Sequence, residues 1–504
     1  SHIEIIRGTS TELVGVRNQG QIVNIVTRTV NEMSVTVSGS LNQYQDQNQE
    51  LGGALFVNGS RGYLDYRFSV ERQPAYQFNE TIEESVHGVG DFSPNDLRTL
   101  DEVVDQINQV FNSSLSWQLS PAQNFTLNLS YEDSDPPRHR DRRILDLNQQ
   151  PPVLIRELED NPASRDAWEV GADYNLQLDS GARLQLLGIN NRRHLDQLRR
   201  RFRVLPDNST LQDLAIQNDT VDTEAIYRAV YTRPLAAAHN LELGLERART
   251  GLQTRLALAR LQPSGDGGAG LRPVPIPNAD SRIEEVRYEG FAVHHWQLNP
   301  RMKLESQLLY EASEITQTGE FGKRRDFNFL RPKLDYRFDI TSTLQLQLSA
   351  EKVVDQLNFN DFAASADPRD EDRDTVAGNP ELRQQQSWRY TANLEYRLPQ
   401  QRGVINVRSW YWDVSDAIGR VDVTRAGGPP ASANGNIGDG EVLAIRVNGS
   451  FRPSPNLLLS AAVLARASAV IDPFTGRERR LVPNDRGNYS FNLRHTLPGL
   501  NLNY

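Results

Sequence analysis

The sequence contains no cysteine in 504 residues, which excludes disulfide bonds and thiolate metal sites. Long apolar runs are missing too. Hydrophobic residues make up 38% of the chain and the mean hydropathy is −0.58, so no stretch approaches the ~20 apolar residues of a transmembrane helix. The formal net charge of −10 and the isoelectric point near 5.5 argue against a nucleic-acid partner.

Catalytic and metal-binding motifs are also absent from the sequence. Its eight histidines form no His-x-x-x-His pair, and no Gly-x-Ser-x-Gly elbow occurs. His294 and His295 are adjacent, so on a strand they point to opposite faces and cannot share a metal ion. We therefore predict no enzymatic activity, no metal site and no cofactor.

What the sequence does contain is a one-for-one alternation of apolar and polar residues that recurs from about residue 31 to the end. In residues 168–178, Trp168, Val170, Ala172 and Tyr174 alternate with polar or small residues. In residues 64–71, Leu64, Tyr66, Phe68 and Val70 alternate with Asp65, Arg67, Ser69 and Glu71. A period of two places the two sets on opposite faces of a strand. We expect the apolar set to face outward and the polar set to face a lumen.

The connections between these segments alternate between short and long. The short ones are 58–62, 120–123, 179–181, 234–239, 299–301, 339–343, 399–403, 453–455 and 498–499. The long ones include 73–109, 133–163, 190–222, 261–281, 355–383 and 416–438. Short turns at one end and long loops at the other are typical of outer-membrane β-barrels. A soluble β-sandwich would instead need separate cores in units of about 100–250 residues.

The turns divide residues 30–497 into about 18 strands, and a further strand begins near Leu500. The sequence therefore predicts an all-β fold, a transmembrane antiparallel β-barrel. Tryptophan prefers membrane interfaces. We expect Trp117 and Trp296 near the short-turn end and Trp168 and Trp388 near the long-loop end.

The first 28 residues carry a second signal. They read Ile-Glu-Ile-Ile-Arg-Gly, a spacer, and Gly-Gln-Ile-Val-Asn-Ile-Val-Thr-Arg. This pattern resembles the end of the plug domain of TonB-dependent outer-membrane receptors. Thr9 and Val14 depart from the usual proline and aromatic residue. The matching positions are Ile3, Glu4, Ile5, Arg7, Gly8, Gly20, Asn24, Ile25 and Thr27.

A downstream segment resembles a barrel motif of the same family, with Gln384 and Gln385 in place of its usual Pro-Glu. Its matching residues are Gly378, Asn379, Pro380, Leu382, Ser387 and Trp388. The resemblance implies the end of a plug domain at residues 1–29 and a barrel at 30–504. Receptors of this family have about 22 strands, so it also implies that the barrel is incomplete at its C-terminus.

The resemblance further implies a location and partners. The location is the outer membrane of a Gram-negative bacterium, and the partners are membrane lipid and lipopolysaccharide, the TonB complex of the inner membrane and a small-molecule ligand. The implied function is active uptake of a scarce nutrient, most simply a ferric siderophore. Cobalamin or a carbohydrate is an alternative ligand. A passive porin, a secretion barrel and a soluble β-rich protein are alternative functions.

Two predicted outer loops are basic, and we take them as candidate ligand-binding loops. Guanidinium groups pair well with the carboxylates of an iron chelate, but they can equally pair with lipopolysaccharide phosphates or with nearby Asp135, Asp141 and Asp196. The candidate residues are Arg138, Arg140, Arg142, Arg143, Arg199, Arg200, Arg201 and Arg203.

Overall fold

The computed structural model describes most of the chain. The described residues are 2–7, 21–26, 33–88, 91–263, 269–276, 279–319, 322–363, 365–366, 375–376, 378–422, 432–473, 475–481, 486–497 and 502–503. They form an all-β protein whose strand pairs are antiparallel. Two short 3-10 helices, Phe359–Asp361 and Pro399–Gln401, accompany the strands. No helix among these residues is long and apolar enough to cross a membrane.

The first half of the chain forms thirteen strands. They are β1 (His2–Arg7), β2 (Gln21–Val26), β3 (Ser34–Gln43), β4 (Gln49–Arg61), β5 (Leu64–Gly88), β6 (Asp91–Ser120), β7 (Gln123–Asp135), β8 (Arg138–Asp146), β9 (Val153–Asn161), β10 (Ala163–Gln177), β11 (Arg183–Val204), β12 (Thr210–Ala236) and β13 (His239–Pro263).

The second half adds sixteen strands, several of them very short. They are β14 (Ala269–Val274), β15 (Asp280–Asn299), β16 (Met302–Gly319), β17 (Lys323–Asp339), β18 (Leu344–Val354), β19 (Ser365–Ala366), β20 (Thr375–Val376), β21 (Gln386–Leu398), β22 (Gly403–Ser415), β23 (Ile418–Asp422), β24 (Ser432–Asn436), β25 (Gly440–Ser454), β26 (Leu457–Ile471), β27 (Glu478–Arg479), β28 (Gly487–Leu497) and β29 (Leu502–Asn503).

One antiparallel sheet of 23 strands accounts for most of the molecule. Eighteen of them are long strands, which follow one another in chain order from β3 to β28 and reverse direction each time; β8, β9, β14, β27 and β29 are the shorter additions. The predicted number of long strands is therefore confirmed. Three small two-stranded sheets, β1–β2, β19–β20 and β23–β24, are separate from this sheet.

Burial along the strands is opposite to that of a soluble protein. In β13, Leu245 is 70% exposed while its neighbour Glu246 is 5% exposed. In β16, Tyr310 is exposed and Glu311 is buried. An apolar face that stays exposed while the polar face is covered fits lipid outside and a polar lumen inside. We call the face of Glu246 and Glu311 the inner face and the face of Leu245 and Tyr310 the outer face.

The tryptophans lie near the strand ends. Trp117 and Trp296 come three residues before the ends of β6 and β15, beside short connections. Trp168 and Trp388 come toward the starts of β10 and β21, at the long-loop end of the sheet. Neighbouring aromatic rings pack against two of them, Phe125 on Trp117 at 5.6 Å and Tyr390 on Trp388 at 6.3 Å between centroids.

Several predicted loops are strands instead. The extensions of β5 and β6 form one paired hairpin over residues 73–88 and 91–109, in which Thr81 is opposite Leu100. The extensions of β11 and β12 form a second hairpin within residues 190–222, in which Arg193 is opposite Asp222. Residues 133–163 contain β8 and β9. The sheet therefore extends well beyond the membrane-spanning part at its long-loop end.

Candidate functional site

The candidate arginines lie in strands, so the expectation that they sit in loops is wrong. Arg138, Arg140, Arg142 and Arg143 belong to β8, and Arg199, Arg200, Arg201 and Arg203 belong to β11. The backbone of these segments is held by strand pairing, with β9 between β8 and β11. Side chains on such strands have fixed positions relative to one another, as a recognition surface requires.

Strand register places charges of alternating sign side by side on the inner face. Glu102 of β6 is opposite Arg140 of β8, and Arg140 is opposite Glu159 of β9. Glu159 is in turn opposite Arg201 of β11. Directly opposed charges of unlike sign stabilise a sheet. We call this arrangement the charge ladder; its members are Glu102, Arg138, Arg140, Arg142, Glu157, Glu159, Arg199, Arg201, Arg203 and Asp213.

Short ion pairs connect the ladder. The Arg140 Nε–Glu102 Oε2 distance is 2.6 Å, and Arg199 makes two contacts with the Glu159 carboxylate, at 2.5 Å and 3.1 Å. The Arg201 Nε–Asp213 Oδ1 distance is 3.0 Å. Two-point guanidinium–carboxylate contacts are among the strongest polar interactions in proteins. The ladder's six arginines face four carboxylates, so it is a largely compensated network with a net charge of +2 rather than a patch of free positive charge.

Glu159 is the centre of the ladder, and its side chain is only 1% exposed. Burial acts to raise the pKa of Glu159, but the hydrogen bond from Arg199 and the charges of Arg199, Arg140 and Arg142 together outweigh it and lower the pKa. The carboxylate therefore stays ionised inside the network, where its charge is fully compensated.

The two ends of the ladder are more open than its centre. The Arg138 side chain is 37% exposed and lies 3.6 Å from Glu102, and the Arg203 side chain is 53% exposed and lies 3.6 Å from Asp213. Loosely held, exposed guanidinium groups of this kind can donate hydrogen bonds to a ligand at little cost.

A polar cavity of about 630 Å³ adjoins one end of the ladder. Arg138, Arg140 and Glu102 line it, together with Asn79 and Thr81 of the extended β5 hairpin. Its volume is within the usual range of small-molecule sites, and its lining offers donors and acceptors of both signs.

Two of the candidate arginines lie on the opposite, outer face. Arg143 contacts Asp141 at 3.5 Å, and Asp141 also accepts from Arg156 at 2.6 Å. The hydrogen bond from Arg156 lowers the pKa of Asp141. Arg200 pairs with Asp160. Asp141, one of the three aspartates that the sequence suggested as partners of these arginines, therefore does form ion pairs. The sequence did not predict the carboxylates that pair with the arginines on the inner face, which are Glu102, Glu157, Glu159 and Asp213.

The barrel motif packs two outer segments together. A Cβ on Gly378 would lie 2.1 Å from the Phe362 carbonyl oxygen, so only glycine fits there. The Asn379 backbone N–H donates to the Asp361 carbonyl at 2.7 Å, and its side chain donates to the Asn434 carbonyl at 2.9 Å. Leu382 is fully buried. Pro380 lies between Asn379 and Leu382 in the chain. The other two motif residues, Ser387 and Trp388, lie in β21, where Ser387 is buried and Trp388 is partly exposed.

The buried residues around this motif form an apolar cluster on the inner face of the wall. Phe362 and Leu382 pack with Leu252, Ile283 and Ile315 of β13, β15 and β16. The Arg325 guanidinium lies over the Phe362 and Phe327 rings, at 5.2 Å and 5.3 Å from their centroids, and donates to the Leu382 carbonyl at 2.5 Å. Residues 357–363 and Leu382, in the described parts of the connection between β18 and β21, are thus folded inward against the wall.

The plug-motif residues have only a partial structural context. Ile3, Glu4, Ile5 and Arg7 lie in β1, and Asn24 and Ile25 lie in β2, which pairs with β1 so that Ile5 is opposite Val23. Gly8, Gly20 and Thr27 fall outside the described residues.

A second charged network on the inner face was not predicted. Arg287 of β15 contacts Glu246 at 3.3 Å and Glu289 at 3.2 Å, and Arg331 of β17 contacts Glu311 at 2.8 Å. Each of these residues occupies a polar position of the strand alternation, and this position was the only feature of the sequence that could have predicted its place on the inner face. Their mutual contacts depend on strand register, which alternation alone does not give.

Where the structure describes side chains, no group of three or more histidine, aspartate or glutamate residues is arranged to hold a metal ion. Two histidines approach each other across β13 and β15, where His239 Nδ1 lies 3.0 Å from His294 Nε2.

The fold is similar to that of solved outer-membrane receptors. The copper transporter OprC matches with a TM-score of 0.64 and 12% identity over 97% of this chain and 69% of its own. The ferric yersiniabactin uptake receptor FyuA from Yersinia pestis matches with a TM-score of 0.58 and 12% identity over 98% and 71%. The alcaligin outer membrane receptor FauA from Bordetella pertussis matches with a TM-score of 0.51 and 13% identity over 99% and 72%.

The chain spans roughly two thirds to three quarters of the length of these solved structures. No curated protein matches its sequence significantly. The model of the family described as "TonB dependent receptor-like, beta-barrel" matches residues 43–504. This match, the antiparallel sheet and the exposed apolar face agree. The chain belongs to the TonB-dependent receptor β-barrel family, whose members are transporters of the Gram-negative outer membrane and not enzymes.

Proposed function

We propose that this protein takes up a ferric siderophore across the outer membrane, with energy supplied by the TonB complex of the inner membrane. The supporting observation is the charge ladder with its adjoining polar cavity, which offers guanidinium donors at the mouth of a transporter barrel. Similar folds include FyuA, described as a ferric yersiniabactin uptake receptor, and PiuA from Acinetobacter baumannii, described as a siderophore receptor.

In this proposal residues 1–29 are the end of a plug domain and residues 30–504 form the barrel. The pairing of β1 with β2, apart from the main sheet, is compatible with a plug segment. A wide barrel needs such a plug to prevent leakage. The TonB complex would act by remodelling the plug, and the ligand would bind above it.

The ion pairs of the charge ladder determine which of its arginines could bind an iron chelate. Arg140, Arg199 and Arg201 are engaged with carboxylates, so the available donors are Arg138 and Arg203 at the ends. A chelate carboxylate or catecholate can take the place of the weak 3.6 Å contacts without leaving a buried acid unpaired. The buried centre then acts as a fixed support for these two arginines.

The test is binding of a panel of ferric siderophores, cobalamin and oligosaccharides to the purified protein in detergent. We expect a ferric siderophore to bind, and Arg138→Ala and Arg203→Ala each to weaken it about tenfold, the value of one charge-assisted hydrogen bond. Arg143→Ala and Arg156→Ala are matched controls on the outer face, with similar exposure, and should change nothing.

Tight binding of a sugar or of cobalamin, unaffected by Arg138→Ala and Arg203→Ala, would refute the siderophore assignment. The family assignment does not depend on that outcome, because it rests on the barrel itself.

A further inference from the structure

Two imidazole rings meet at the short-turn end of the sheet, far along the chain from each other. His239 begins β13 immediately after the connection from β12, and His294 lies near the end of β15, before the next short connection. Register sets His239 opposite Trp296 and Leu241 opposite His294, so the two histidines are diagonal neighbours on one face. That face is the outer one, since Leu243 and Leu245 continue it along β13.

The two rings present nitrogen atoms to each other. His239 Nδ1 and His294 Nε2 are 3.0 Å apart, the rings are parallel within 3°, and their centroids are 5.2 Å apart. Because the nitrogens are much closer than the centroids, the ring edges face each other. Two neutral imidazoles in this position share one proton in an N–H···N hydrogen bond.

The same separation suits two ligands of one metal ion. Imidazole nitrogens bond to Zn²⁺ at about 2.0–2.1 Å, so two of them on one ion at a bond angle of roughly 90–110° are about 2.9–3.4 Å apart. The observed 3.0 Å falls in that interval. In the present edge-to-edge arrangement the two nitrogens point at each other. An ion at about 2.0–2.1 Å from both would lie beside the line between them, so each ring has to turn by roughly 40° to direct its lone pair at the ion.

The surroundings of the two histidines allow a metal ion to replace the hydrogen bond between them. Both histidines are partly exposed and lie where outer-membrane barrels meet the periplasmic water layer. Trp296 packs on His239 at 5.4 Å between centroids, which restricts that ring. On metal binding the shared proton moves to the far nitrogen of its own ring, so both imidazoles stay neutral, as ligands must. Water completes the coordination sphere.

We propose that His239 and His294 form a binding site for a divalent transition-metal ion of the Zn²⁺, Ni²⁺ or Cu²⁺ class at the periplasmic rim. Imidazole ligands suit these ions. The ion would join β13 to β15 across 55 residues of chain. This site lies on the lipid-facing side, away from the charge ladder, so it is independent of the siderophore proposal.

The experiment measures Ni²⁺ and Zn²⁺ binding to the full chain in detergent micelles, by competition with a chromophoric chelator. The wild type should bind one equivalent saturably. His239→Gln and His294→Gln should each weaken binding at least about tenfold, because even the outer partners of metal ligands are worth about 10–100-fold in affinity. Heat-modifiable migration of each variant in gels confirms that it is folded.

His295→Gln is the matched control. His295 is the next residue in the chain but points to the inner face, where it lies 3.1 Å from Glu305, and its substitution should leave the affinity unchanged. Cu²⁺ electron paramagnetic resonance gives a second readout, with couplings to two nitrogens in the wild type and to one in either single variant.

Equal affinity in the wild type and in the His239→Gln/His294→Gln double variant would overturn the proposal, leaving only a hydrogen bond between two histidines. Loss of binding in His295→Gln alone would overturn it as well, because the ion would then sit on the inner face.

Discussion

Glu159 shows how one residue organises the candidate site. Arg140 and Arg142 approach its carboxylate from β8 at 3.5 Å and 3.4 Å, while Arg199 approaches from β11 at 2.5 Å. An ionised group this deeply buried is stable only while all its partners are in place. Removing any one of them leaves the buried charge with fewer hydrogen bonds and weaker compensation inside the extended wall.

The lowered pKa of Glu159 predicts a pH dependence. The carboxyl group of Glu159 has a lower pKa in the folded protein than the 4.5 of the unfolded chain. Its ionised form therefore stabilises the folded state at pH values above 4.5, and this stabilisation is lost as the pH falls below 4.5 and through the folded-state pKa. We expect amide protection in residues 138–161, corrected for intrinsic exchange rates, to hold from pH 7 to about 5 and to fall below 4.5. Glu159→Gln should lower protection at pH 7 and flatten the profile. Wild-type protection that rises on acidification would contradict this.

Gly378 permits a test of the barrel motif. A methyl group at this position would overlap the Phe362 carbonyl, so Gly378→Ala should destabilise the inward-folded segment by about 1–3 kcal/mol. The expected result is faster proteolysis between β18 and β21 with the strands intact. Gly39→Ala is the control, because a Cβ there meets open space. Equal proteolysis of the two variants would argue against a bracing role for the motif.

Among the elements, strand position was predictable where one face meets lipid. Residues 168–176 alternate strictly and lie within β10 as expected. Beyond the membrane both faces are polar, so residues 190–222 show no alternation although their backbone remains paired. The contacts within the site depend on strand register and on residues 357–363 and Leu382 packing against the inner face of the wall. Neither feature produces a periodic pattern in the sequence.

The outer face of β13 predicts depth-dependent sensitivity to charge. Leu245 lies six residues from the start of β13, roughly 15 Å along a tilted strand and near the bilayer centre. Leu245→Arg should therefore destabilise folding into lipid bilayers by about 2–4 kcal/mol in urea titrations. Leu154→Arg is a matched control, since Leu154 is similarly exposed but lies in β9, beyond the membrane. A comparable loss in both variants would mean that exposure, and not lipid contact, sets the penalty.

For the molecule as a whole, the two terminal long strands are the most exposed. Val37 of β3 and Tyr489 of β28 are 77% and 88% exposed. Among the described residues, β3 has a residue-by-residue register with β4, and β28 has one with β26 and with β29. In the strand order of the main sheet, β29 lies between β28 and β3, so the first and last long strands are joined through it.

The charge ladder also has a consequence for the kinetics of ligand capture. The six arginines of the ladder face four carboxylates, so its net charge is only +2. Its field is therefore much weaker than that of six bare arginines, and it is largely screened beyond one Debye length, about 8 Å at physiological ionic strength. An anionic ligand is then drawn in less strongly than by bare arginines. Its association rate should fall only moderately as the salt concentration is raised, and a high affinity has to come mainly from slow release.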